Sequence, residues 1–290
     1  VARTANMARR CGARIVSTDD IEVRPTSRLF CESQSTELLV TDRAQGRGAR
    51  LLVVPLIDPD LGSLSDVAGL ARACHQHGVR LVVEATLGLG ARELRVDDWA
   101  IDACVAGVDH ALGAPSGLTL ITYSSEIEAM LAARRSPPRT SYLDLIQLQA
   151  YWSPERLNHH TAPTSLVYGL REALRLLHAE GLQQRWHRHH QVGVFLRQGL
   201  EALGLVVRGE PPVCIVKLPR GLDEAAARRS LLDGYGVYVS RVGVSIWRVG
   251  LLGADARLDA AQRVLAAFEA VLSGSEATSE AGASLVPGRP

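Results

Sequence analysis

Residues 107–117 read Gly-Val-Asp-His-Ala-Leu-Gly-Ala-Pro-Ser-Gly and place one ionisable ring in a loop built from small residues. His110 stands between turns that Gly107, Gly113 and Gly117 make accessible and that Pro115 stiffens. An imidazole at such a place takes and gives protons near neutral pH, which makes it a candidate general base. Two other charges close apolar runs. Glu84 ends the run from Leu81 to Val83, ahead of Gly88 and Gly90, and Arg248 lies within Trp247-Arg248-Val249-Gly250-Leu251-Leu252-Gly253. A guanidinium suits bidentate recognition of a carboxylate. Each has a plainer reading, as a polar strand end and as a strand arginine.

The remaining histidines invite a metal reading that their spacing does not favour. His75 and His77 fall at the end of a helical stretch, where positive charge suits the dipole. His159 and His160 are adjacent, and neighbours in sequence seldom bind one ion together. His187 and His190 are three apart on a helix and share a face, which leaves zinc as a minor alternative. The expectation is no metal site.

These residues must be positioned by an alternation of strands and helices. A helix over Ala2–Cys11 stops at Gly12, and Ala13–Ser17 reads as a strand. Residues 19–48 are polar, with a possible strand at 38–40. Leu51–Leu56 is a continuous apolar run of the kind buried in parallel sheets. A helix over Leu64–His77, a strand over 80–85 and a strand over 101–106 follow, then the His110 loop and a strand over 118–123. Such a succession makes an α/β layered domain with a mostly parallel sheet, whose ligands sit beyond the strand C-terminal ends. Glu84 and His110 both lie at such ends. Helices over 165–181 and 182–204 lead to a C-terminal part that alternates strands and helices up to Leu272. The stretch 274–290 is small, polar and Gly/Pro-containing, and is expected to be a disordered tail.

Net charge is +1 over 290 residues, which gives no reason to expect nucleic acid. Five cysteines, odd in number and without a C-x-x-C, fit a reducing cytoplasm rather than a disulfide framework. No apolar run has transmembrane length, and no signal-peptide pattern opens the chain. Lys217 is the only lysine, a bias that a GC-rich coding sequence explains.

The His110 loop resembles the lysine loop of the class V aminotransferases, most closely the alanine–glyoxylate and serine–pyruvate enzymes. The shared frame is Gly107, Ala111, Leu112, Gly113, Ala114, Pro115 and Gly117. The family's Ser-Gln-Lys is Val108, Asp109 and His110 here, so the lysine that forms the Schiff base with pyridoxal phosphate is a histidine. Further matches are Tyr142-Leu143-Asp144, Tyr151-Trp152, His159-His160-Thr161-Ala162-Pro163 and Arg248-Val249-Gly250-Leu251-Leu252-Gly253. Asn158 and Asp58-to-Gly62 depart from the family's tyrosine and its hydroxyl-rich turn.

The resemblance implies the pyridoxal-phosphate-dependent transferase fold of the type I aminotransferases. A partial large domain would span 1–181, and a linking helix with a small α+β domain 182–273. It implies pyridoxal phosphate as cofactor, with Glu84 at the position that meets the ring nitrogen. Asp109 stands at a cofactor-contact position, and Thr161 reaches the phosphate across a dimer. Arg248 takes the substrate carboxylate, and a small amino or keto acid is the substrate. The family's phosphate-holding glycine turn and ring-stacking aromatic lie upstream of anything in this chain, which points to a fragment or to a gene that has lost its front. The expectations are therefore a degenerate transaminase relative, a homodimer or partner subunit, and, as alternatives, an enzyme using His110 as base on a non-covalently held cofactor or a small-carboxylate binder.

Overall fold

The computed structural model describes residues 50–283 except Arg139, with side chains described as far as Gly274. The expected helix at 2–11, the strands at 13–17 and 38–40, and residues 284–290 lie outside the described residues.

The first sheet has the order β1-β2-β3-β4, formed by Leu51–Pro55, Arg80–Glu84, Ala103–Gly107 and Thr119–Tyr123. β1, β2 and β3 run parallel, and β4 returns antiparallel to β3. Three strand C-termini therefore meet at one edge. The helix α1 (Val67–Gln76) starts where the Asp66 carboxylate accepts the Gly69 N–H at 3.0 Å. Its apolar face, Val67, Leu70, Ala71 and Cys74, packs with Leu81, Val83 and Cys104 of the sheet. β1 is less buried than its apolar sequence suggested: Leu51 and Val53 are exposed. An apolar run reports what a strand can bury, not whether both of its faces are covered.

At the opposite edge of this sheet Asp102 is buried and takes two hydrogen-bond donors, with a histidine ring beside it. The Leu81 N–H reaches it at 2.8 Å, Arg80 at 2.9 Å and the His75 ring at 3.4 Å. The helix-terminal His75 thus meets a carboxylate besides the dipole.

Beyond β4 come α2 (Ser125–Ala132), a short 3-10 turn at 141–143, α3 (Leu145–Trp152), α4 (Thr164–Glu180) and α5 (Leu182–Ala202). α4 closes at Gly181, whose φ of 86° only glycine adopts freely. α5 leads into a second sheet of order β5-β6-β8-β7, antiparallel throughout: Val206–Arg208, Val213–Lys217, Ile246–Gly250 and Ser240–Gly243. Across it lie α6 (Glu224–Tyr235), capped twice by Asp223, and α7 (Leu258–Ala283). Trp247 and Phe268 meet edge to face, 6.0 Å apart, in this core. The helix α7 continues past Leu272 to Ala283, into the stretch read as a tail.

Among the described residues no helix is long and apolar enough to cross a membrane.

Candidate functional site

The site is assembled at the C-terminal edge of the parallel strands. Glu84 ends β2, opposite Pro55 of β1 and Val105 of β3. Its Oε1 accepts the Thr86 N–H at 2.9 Å, and the Thr86 hydroxyl accepts the Gly107 N–H at 2.9 Å. The exits of β2 and β3 are thus tied through Thr86, a residue the sequence reading passed over because it carries no charge.

From Gly107 the chain enters the loop. Gly113 N–H donates to the His110 carbonyl at 3.1 Å and Ala114 N–H to that of Val108 at 3.0 Å. Val108 is fully buried beneath the loop, packed with Leu112, Ala114 and Ala173 of α4. Asp109 and His110 face outward, each about one-third exposed, with Nδ1 of His110 3.2 Å from Oδ1 of Asp109. A carboxylate only accepts, so this contact places a ring proton on Nδ1.

Arg248 arrives from the other sheet. It sits on β8 and its Nη1 donates to the Pro59 carbonyl at 3.0 Å, just past the end of β1. The loop it meets is shaped by Asp58, whose Oδ1 accepts the N–H groups of Asp60 and Leu61 at 2.8 and 2.9 Å. Glu84, Asp109 and His110 therefore lie at the strand exits of the first sheet, and Arg248 reaches the loop that follows β1. Thr161 is exposed on the loop before α4 and is not tied to them by any hydrogen bond among the described residues. The neighbouring His159 and His160 are occupied with each other, Nδ1 to Nδ1 at 3.0 Å, and His159 Nε2 donates to the Ser141 carbonyl at 2.6 Å.

The Arg/His-rich stretch of α5 is the main correction. Arg185 and His189 are buried there, and Arg185 holds the His110 loop while His189 holds the Gly253 N–H. Arg185 Nη2 donates to the Ala111 carbonyl at 2.7 Å and to that of Leu112 at 3.3 Å. Glu180 pairs with Arg185 at 2.8 Å and with Arg188 at 2.6 Å. The two guanidiniums hold its carboxyl below the usual carboxylate range. His187 and His190, the pair that suggested zinc, are exposed, and no group of three metal-ligating side chains occurs among the described residues. A long polar run on a helix hides its buried members because charged residues reach the interior only when paired, and the pairing partner here is five residues away on the preceding helix.

Comparison with known proteins adds the following. The family described as aminotransferase class-V matches residues 5–245. The chain is 34% identical over 251 residues to the (S)-ureidoglycine–glyoxylate transaminase of Bacillus subtilis (strain 168), covering 77% of this chain and 60% of that protein. It is 29% identical over 288 residues to the alanine–glyoxylate aminotransferase of Drosophila melanogaster, covering 94% of this chain and 71% of the relative. Among solved structures, the alanine–glyoxylate aminotransferase of Nostoc sp. superposes with a TM-score of 0.82 at 30% identity, over 93% of this chain and 72% of that one. The chain thus spans about 60% of the length of the Bacillus relative.

Proposed function

The chain belongs to the class-V aminotransferase family, and from that premise we propose that it is a member without lysine-based transaminase activity. Its fold is the α/β fold of the pyridoxal-phosphate-dependent aminotransferases, and the cofactor that the family implies is pyridoxal phosphate. The residues present do not fit that group held covalently. An imidazole stands at His110, and it has no primary amine to condense with an aldehyde. Lys217, the sole lysine, lies exposed on β6 of the other sheet, paired with Val206 and Ile246. Glu84 is already engaged by the Thr86 N–H. The observation that carries the reading is the imidazole of His110 in a loop that keeps the frame Gly107, Ala111, Leu112, Gly113, Ala114, Pro115 and Gly117.

The test is direct. Full-length chain mixed with pyridoxal phosphate, reduced with borohydride and peptide-mapped should show no stoichiometric adduct. A stoichiometric adduct at Lys217 would overturn the proposal.

A second reading is favoured by the 3.2 Å contact of His110 with Asp109. In it, His110 takes a proton as general base while Arg248 orients a small carboxylate; the guanidinium spends one nitrogen on Pro59. Activity towards amino or keto acids that follows a single ionisation and vanishes in His110→Ala would establish it over the first. A large-to-small domain division at 181/182, a dimer or family-member partner, and a cytoplasmic setting complete the proposal. Exposed Met130, Ile146, Trp152, Val167, Tyr168 and Leu174 on α2 to α4 supply an apolar face suited to such a partner.

A further inference from the structure

One face of α5 holds two loops that belong to different sheets. On one side is the His110 loop; on the other is the turn at 253–255, which continues directly from β8 and Arg248. We infer that His189 is a positioning residue that locks the His110 loop to the strand carrying Arg248, and that it does so only as a neutral imidazole protonated on Nδ1. The inference stands whichever chemistry His110 performs.

The geometry assigns both ring nitrogens. Nδ1 lies 2.8 Å from the Arg185 carbonyl, which can only accept, so Nδ1 carries a proton. Nε2 lies 3.0 Å from the Gly253 backbone N–H, which can only donate, so Nε2 must be bare. The ring is fully buried, with no water-facing side to relax towards. A second proton would set N–H against N–H at Gly253 and break the lock.

Gly253 transmits the constraint. Its φ is 61°, and a Cβ built there would stand 2.9 Å from the His110 carbonyl oxygen and 3.6 Å from that of Ala111. Backbone thus meets backbone with no side chain between. Arg188 closes the turn from behind, donating to the Gly253 carbonyl at 3.1 Å and to Ala256 at 2.7 Å. Arg185 holds the other loop through Ala111 and Leu112.

The charged groups around His189 are Arg185 and Arg188 on its own helix and Glu180 at the end of α4. The packed loops bring backbone to the ring: Asp255 is exposed, and the His110 and Asp109 side chains face outward. Burial is the largest of the effects that lower the imidazole, to about 4, with the two guanidiniums acting in the same direction. Acid should therefore open the lock near that pH.

Two measurements test this on the full chain. In ¹⁵N-labelled protein at neutral pH, His189 should show a protonated Nδ1 and a bare Nε2; the other tautomer or a charged ring overturns the inference. In hydrogen exchange corrected for intrinsic rates, peptides covering 108–114 and 250–256 should lose protection together as pH falls towards 4, by about tenfold or more for a lost buried hydrogen bond. Peptides of β6 should stay protected over the same range. His189→Gln, which does not titrate, should abolish that pH dependence. Gly253→Ala should release the 108–114 peptide already at neutral pH. Independent loss of the two peptides, or an unchanged acid dependence in His189→Gln, refutes the lock. Should His189→Gln fail to fold, the tautomer and the parent's exchange profile still decide.

Discussion

Glu180→Ala is the sharpest probe of how the site is held. The carboxylate is one-quarter exposed, but its partner Arg185 is 7% exposed and 2.8 Å away. Deleting the anion leaves a buried guanidinium whose other bonds go to neutral carbonyls at Ala111 and Leu112. Breaking a buried pair from one side costs about 3–5 kcal/mol, and the partial exposure of Glu180 points to the lower end, about 3 kcal/mol. For a chain of this size that is a fall in Tm of roughly 6–12 °C. Glu180→Gln keeps an acceptor and should lose about half as much. The comparison that isolates burial is Glu172→Ala. Its bond to Arg175 is as short, 2.7 Å, yet both side chains are more than half exposed, and no measurable change is expected. Thermal and urea melts of the three variants settle the matter. Equal small effects for Glu180→Ala and Glu172→Ala would refute the claim that α5 holds the loop through a buried charge.

Acid should destabilise the fold through His189. Its value in the folded chain, about 4, lies below its usual 6.5, so the unfolded chain takes the proton first. Stability present above pH 6.5 is then lost as pH falls to 4, by about 3 kcal/mol, and urea melts of His189→Gln should lack that limb. Removing Asp102 strands the buried Leu81 N–H and leaves Arg80 with Glu126 alone, and Asp102→Ala should cost about 3 kcal/mol in the same melts, with Asp102→Asn milder. Calorimetric titration with pyruvate, glyoxylate and serine should find binding of about 4 kcal/mol, in the millimolar range, and its loss in Arg248→Ala; identical curves would leave Arg248 as a strut to Pro59 alone.

The mostly parallel first sheet and the place of Glu84 and His110 at strand ends were legible because they follow from apolar runs and motif order. The role of α5 was not. Arg185 and His189 are typed as surface residues, and only the approach of two loops from separate parts of the chain makes them interior. Thr86 escaped for a related reason: a hydroxyl that ties two strand ends has no pattern along the chain. Gly253 was visible as part of a motif, but its purpose depends on a carbonyl more than a hundred residues earlier.

The scarcity of lysine has a practical side. Lys217 is the one lysine of the chain and it stands exposed on β6. Amine-directed dyes, biotin or a solid support would therefore find a single side chain on which to act. Side-chain labelling would place the tag on β6 of the second sheet, with the terminal α-amine as the one competing site.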